Sequence, residues 1–384
     1  MIAGTYMAVL VRDLNAQLDN ILNREISTIG NKYWLELSCY SVYCDNCGCL
    51  ELSRAGFRKN KRKGDVQRYI CKKCGRYVSP YFYKGSHLPL WVFDAVLFYV
   101  SIGLRYQLVP VVVAREGKAR TGKPFNISVP TVYNIVRRAT VLLDTFEYNI
   151  RHYFIPAGKV ISDEWQIDDR YHNWRLNVER EIEIVQMKFG VNLDLVKEVV
   201  CEKKLKWSFM YPTCVVETNT CYGLAVFVGP RRTEETARSA LRQAIERSTY
   251  TPLVIKCDGH KPFIKAIEGE LPSVQIICRT KEEDVSIVNA AETFWSIFNL
   301  VVPKRRFRQP ETLADAADLT RHYMNMLRPH EKLGGKPPLE ALGFNLPRSA
   351  KDSWAGLLDF AYKYNKLVEY KRRQALKKVL SGKI

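Results

Sequence analysis

Leu253-Val254-Ile255-Lys256-Cys257-Asp258-Gly259 is a short apolar, β-branched run that stops on a carboxylate and a glycine. Such a run before a turn signal reads as one buried strand. Asp258 then stands where the chain leaves the sheet and its side chain meets whatever occupies the sheet edge. Comparable runs occur at 160–167, 213–216, 223–228 and 274–278. Helical patterns fall between and after them. Residues 233–247 open with Thr233, Glu234 and Glu235 as cap and acidic first turn, and residues 284–300 carry another helix. Strands alternating with helices predict an α/β sheet domain over residues 159–345. The polar connection 170–206 offers no element.

Upstream, residues 89–150 read as several helices. Trp91, Ala95, Phe98 and Ile102 fall on one face of the first, and residues 108–116 give a second that ends near Gly117. A basic loop, 118–123, comes next. Ser128-Val129-Pro130 then opens a third helix, with the serine as cap and the proline in its first turn. This order suits a helix-turn-helix whose last helix enters a major groove, with Thr131, Asn134, Arg137 and Arg138 as the DNA contacts. The apolar stretch 88–104 is interrupted by Asp94 and falls short of the roughly 18 residues a membrane span requires. It reads as a buried helix, and no membrane partner is expected.

Further upstream, Cys44-Asp45-Asn46-Cys47 and Cys71-Lys72-Lys73-Cys74 are two Cys-x-x-Cys knuckles separated by 23 residues. Four thiolates from two tight turns make a closed tetrahedral shell, so residues 43–88 predict a ribbon around a structural Zn2+. Arg58, Lys61 and Arg62 lie between the knuckles and suit contact with phosphates. Residues 1–42 contain a helix-like pattern at 9–24 without an evident task. Residues 350–384 form a helix that turns strongly basic after Tyr370, fit for a partner helix, for a DNA backbone or for plain solvation.

The charge balance agrees with a polyanionic partner. The 384 residues carry 59 Lys and Arg against 40 Asp and Glu, a formal net charge of +19. Each phosphate that such a surface neutralises releases counterions, which favours nucleic acid. Eleven cysteines, four of them in two close pairs, fit a reduced chain with a metal site better than a disulfide framework. The start lacks the basic-then-apolar order of a secretory signal, so an intracellular protein is expected.

Breaking and joining phosphodiesters needs two divalent cations about 4 Å apart, held by carboxylates that arrive at one sheet edge from separate elements. Asp163 interrupts the run Val160-Ile161-Ser162-Asp163-Glu164-Trp165-Gln166-Ile167, Asp258 ends its own strand, and Glu292 lies in Val288-Asn289-Ala290-Ala291-Glu292 on the expected helix. Asp168 and Asp169 are rivals for the first position. Glu282, Glu283 and Asp284 are rivals for the third.

With these residues the chain resembles the DDE transposases of bacterial and archaeal insertion sequences, whose core is the RNase H-like fold shared with retroviral integrases. Asp163-Glu164, Asp258-Gly259 and the Asn289 to Glu292 step match the three acidic motifs in order, and thirty-three residues separate Asp258 from Glu292. The tail His322-Tyr323-Met324-Asn325-Met326-Leu327-Arg328-Pro329-His330 resembles the family's Tyr-Asn-x-x-Arg-Pro-His run. Two departures stand out. Relatives place His or Arg three residues after the glutamate and Lys or Arg seven after it, where this chain has Trp295 and Asn299. The connection after Asp169 is also longer than the usual hairpin. Basic residues return at Lys304, Arg305 and Arg306, which suit the same phosphates.

The resemblance implies a multidomain α/β protein that binds the terminal repeats of a mobile element and cuts and joins DNA. Asp163, Asp258 and Glu292 would hold Mg2+ or Mn2+, and no protein nucleophile is needed. It also implies target DNA as a second partner, a homo-oligomer assembled on DNA, and a cytoplasmic, nucleoid-associated location in a prokaryotic cell. The alternatives are a transposase-derived DNA-binding protein without activity and a nuclease that hydrolyses without joining.

Overall fold

The computed structural model describes residues 44, 51–60, 64–78, 88–153, 162–174, 208–229, 231–248, 250–278, 289–302 and 310–380. Two compact units divide the chain: residues 1–97, 141–159 and 342–384 form one, and residues 98–140 and 160–341 form the other.

In the first unit, β1 (Leu52–Asn60), β2 (Gly64–Cys71) and β3 (Tyr77–Val78) form an antiparallel sheet in that order. Cys71 ends β2, and the turn behind it is closed by Gly75 N–H donating to the Cys71 carbonyl at 2.8 Å. Helix α1 (Leu90–Ser101) is buried over most of its girth through Val92, Phe93, Val96, Leu97 and Val100. The expected apolar face of this helix is therefore corrected: Ala95 is buried, but Phe98 is 50% and Ile102 55% exposed.

Two further helices follow, α2 (Val109–Thr121) and α3 (Val129–Tyr153). Helix α2 does not stop near Gly117, and most of the expected basic loop is its last turn. Its end is set by Gly122, which takes the left-handed conformation at φ 75° and donates to the Lys118 carbonyl at 2.9 Å. Gly117 is instead a packing position, since a Cβ there would lie 2.5 Å from the Cβ of Phe125. Ser128 caps α3 as the sequence predicts, its hydroxyl accepting from Thr131 N–H at 3.3 Å.

The second unit is built on a mixed sheet. Its strands are β4 (Glu164–Asp169), β5 (His172–Trp174), β6 (Ser208–Glu217), β7 (Gly223–Gly229), β8 (Val254–Cys257) and β9 (Gln275–Cys278). Strand β6 is antiparallel to β7 on one side and to β4 and β5 on the other. Strand β4 pairs in parallel with β8, and β8 with β9. This mixed α/β arrangement is compatible with the expected RNase H-like domain.

Helix α4 (Glu234–Ser248) carries the connection from β7 to β8, and α5 (Lys261–Glu270) the connection from β8 to β9. Helix α4 begins where the Thr233 hydroxyl accepts from Thr236 N–H, and it buries Ala237, Ala240, Leu241 and Ala244. Helix α6 (Asn289–Val301) presents Ala291, Phe294, Trp295 and Phe298 to a core completed by Cys214, Val216, Leu313 and Ala317. Helix α7 (Pro310–His322) runs into a π-helical turn, Tyr323–Leu327. That turn aims Asn325 at β7. Its amide accepts from Gly223 N–H at 2.8 Å and donates to the Gly223 carbonyl at 2.9 Å, so a side chain supplies the pairing that a further strand would give.

Short helix α8 (Pro338–Ala341) ends the second unit, and α9 (Arg348–Lys351) precedes the last helix, α10 (Trp354–Leu380), in the first. Asp94, which interrupts the apolar run of α1, accepts from Ala355 N–H at 3.0 Å and satisfies the start of α10. Phe146 meets Phe360 and Tyr364 edge-on at 5.7 and 5.4 Å, and Leu357, Leu358, Ala361 and Leu367 are buried. The first part of this helix is thus a core element, and solvation applies only to its basic end. No described helix is long and apolar enough to cross a membrane.

Candidate active site

Parallel strands β4 and β8 end at the same edge of the sheet. Their register, Glu164 beside Val254 and Gln166 beside Lys256, carries on to set Asp168 beside Asp258. Gly259 at φ 80° turns the chain away immediately after Asp258, and His260 N–H donates to Asp258 Oδ1 at 3.0 Å, fixing the carboxylate at the edge.

Strand alternation sends Gln166 and Asp168 to one face and Trp165, Ile167 and Asp169 to the other. Helix α6 docks on the first face. Gln166 Oε1 accepts from Ala290 N–H at 2.8 Å and Ala291 N–H at 3.2 Å, closing the helix start, and Trp295 Nε1–H donates to Asp168 Oδ2 at 3.1 Å. Glu292 is one turn before Trp295 on this helix and is exposed. Two of the expected acids, Asp258 and Glu292, therefore belong to elements that converge on Asp168.

Asp163 is not brought to this place. The strand begins at Glu164, and the Ser162 hydroxyl bonds both the N–H and the carbonyl of Glu164, which leaves Asp163 exposed in a bend ahead of the strand. Its carbonyl accepts from the N–H groups of Leu253 and Val254, at the beginning of β8. Five residues at about 3.3 Å each set Asp163 roughly 16 Å from the Asp258 end of the sheet. Glu282, Glu283 and Asp284 lie outside the described residues.

Charge is crowded at the edge. The Asp168 carboxyl is pushed up to about 7, chiefly by burial, with the Asp169 and Asp258 carboxylates adding to the rise. Burial also raises Asp169, against the pull of Arg232. Arg232, in the turn before α4, spans the pair: Nε lies 2.6 Å from Asp169 Oδ2 and Nη2 2.7 Å from Asp258 Oδ2. Asp168 and Asp258 crowd one another, and carboxylate oxygens are the donors a hard divalent cation takes; Glu292 offers a further carboxylate on α6. The thiols at the same place have another character. Cys257 and Cys278 sit side by side on β8 and β9 with sulfurs 3.6 Å apart, and burial pushes Cys257 up to about 12, so it remains a thiol.

A different donor set lies in the first unit. The sulfurs of Cys44, Cys71 and Cys74 all fall within 4.8 Å of one another, with Cys44 and Cys74 at 3.4 Å. A tetrahedral zinc with sulfur at about 2.3 Å holds its ligands roughly 3.8 Å apart, so three thiols fit such an ion. Cys47 lies outside the described residues, as do Lys61, Arg62, Lys304, Arg305 and Arg306. Arg58 falls in β1 opposite Val66. On α3, Asn134, Arg137 and Arg138 are exposed, whereas Thr131 is half-buried and its hydroxyl is bonded to that of Ser128 at 2.9 Å. Thr131 is thus committed to the helix cap.

Asp168 enters from the sequence only as a rival for the first position, and Arg232 carries no motif that singles it out. The signal for Asp168 was present: Trp165 and Ile167 alternate with Gln166 and Asp168, which puts the acid at the far end of the strand, level with Asp258.

No family model matches the sequence, and no curated protein matches it. Among solved structures, the catalytic core domain of BIV integrase is similar at 16% identity, over 47% of this chain and 92% of that one, with a TM-score of 0.28.

Proposed function

We propose that the chain is an insertion-sequence transposase that cuts and joins DNA with divalent cations held by Asp168, Asp258 and Glu292. The observation that carries the reading is the approach of Asp168 and Asp258 at parallel strand ends, beside the helix that carries Glu292. Mg2+ or Mn2+, when bound, would supply Lewis acidity and charge neutralisation at the reacting phosphate. The chain's own part is to fix the acids: Gln166 closes the start of α6, Trp295 orients Asp168, and His260 N–H orients Asp258. Trp295 stands where relatives of the resembling family carry a basic residue, and its bond to Asp168 gives that substitution a use.

DNA would be held by the thiolate-rich sheet and by helix α3. Cys44, Cys71 and Cys74, with Cys47 as fourth ligand, would keep a structural Zn2+, and Asn134, Arg137 and Arg138 would face the groove of an element end. Cutting both ends requires two active sites together, hence a homo-oligomer on DNA. The test is cleavage of a labelled duplex carrying the DNA ends that flank the gene, with Mg2+ or Mn2+. Nicking at the element boundary supports the reading, and binding without nicking under either metal leaves a DNA-binding derivative.

A further inference from the structure

Arg232 touches both carboxylates with different degrees of commitment. Asp169 is only 6% exposed and lies on the sheet face away from Asp168, whereas Asp258 and Arg232 are each 34% exposed. The arginine is thus anchored from behind by a buried acid, with its guanidinium 5.6 Å from the Phe263 ring, and it reaches forward to a half-exposed one. A guanidinium can span two carboxylates because its donors form a rigid planar fork.

Asp258 is also an acid assigned to the divalent cation, and the inference rests on that assignment. A carboxylate oxygen that bonds Arg232 and one that ligates a cation compete for the same lone pairs and the same negative charge. From this geometry we propose that Arg232 is a positioning residue: it holds Asp258 at the sheet edge in place of a cation and yields Asp258 when a cation arrives. The Asp169 anchor then keeps the displaced guanidinium beside the site.

The experiment is Mn2+ binding to the full chain with its zinc retained, followed by the electron paramagnetic resonance of free Mn2+. Wild type is compared with Arg232→Gln, Arg232→Lys and Asp258→Asn. Arg232→Gln strips the buried Asp169 of its cation and is prone to misfold. Arg232→Lys keeps a charge there but lacks the fork needed to bridge both acids. The expected result is Mn2+ affinity up to about fivefold tighter in Arg232→Lys than in wild type, the scale of a half-exposed ion pair removed from competition. Unchanged or weaker affinity in Arg232→Lys, with binding lost in Asp258→Asn, overturns the role of Arg232 and leaves the acidic site intact. Absence of any Asp258-dependent Mn2+ site in wild type and variants overturns both.

Discussion

Trp295 Nε1–H donates to Asp168 Oδ2 at 3.1 Å, joining the first turns of helix α6 to the last residues of strand β4. This bond ties the helix that carries Glu292 to the strand end that lies beside Asp258. It orients an acid that is expensive to ionise where it stands.

The cost appears in the pH dependence of stability. The Asp168 carboxyl rises from 3.8 to about 7 on folding, so across that window the folded chain holds a proton the unfolded chain has lost. Stability contributed by this group therefore falls as pH rises through the window and stays low above it. Asp168→Asn keeps an oxygen acceptor for Trp295 and removes the ionisation. Its melting temperature is expected to exceed wild type at pH 8 in the absence of divalent cations, by about 2–4 °C per kcal/mol recovered. The advantage should shrink towards pH 4. A gap that is the same at both pH values would contradict this origin.

Asn325 supplies two buried hydrogen bonds to Gly223 at the start of β7. Asn325→Ala leaves both backbone groups without that partner and is expected to cost about 2–4 kcal/mol in urea unfolding. A loss below 1 kcal/mol, roughly a single ordinary hydrogen bond, would mean that the pairing is replaceable. Within the stretch 322–330, Asn325 thus braces the start of β7.

Much of this was legible in the sequence, for physical reasons. Apolar runs such as 223–228 and 253–257 coincide with β7 and β8 to within a residue, because β-branched residues bounded by turn signals have few alternatives. The place of Asp258 just past the end of β8 followed from the same run and its glycine. The place of Asp163 ahead of β4 did not, because the run 160–167 reads as strand before Ser162 bonds both polar groups of Glu164 and delays the start. The face of α1 was misread because a helix buried over most of its girth has no amphipathic period to find. Pairing across long separations, as between Trp295 and Asp168, leaves no local mark at all.

A separate prediction concerns the cluster of Cys44, Cys71 and Cys74. Purified protein should contain stoichiometric zinc by elemental analysis, and Cys71→Ser should lose it together with DNA retention, since β2 ends on that residue. Full zinc content in Cys71→Ser would exclude Cys71 as a ligand.

Exposed Arg137 and Arg138 on α3 should act through phosphates or base edges. If both contact phosphates, Arg137→Ala with Arg138→Ala should lower the slope of log affinity against log salt by about 2, near one per contact, in fluorescence anisotropy. An unchanged slope and affinity would remove α3 from the DNA interface.

The most direct measurement is strand transfer with a duplex of the flanking element ends, a plasmid target and Mn2+, comparing wild type with Asp168→Ala, Asp258→Ala and Asp163→Ala. Joined products are expected in wild type and in Asp163→Ala, with losses of about 10³-fold or more in the other two, the worth of several kcal/mol of metal-borne stabilisation. Joined products that survive Asp168→Ala and vanish in Asp163→Ala would contradict the site assigned at the β4 and β8 ends.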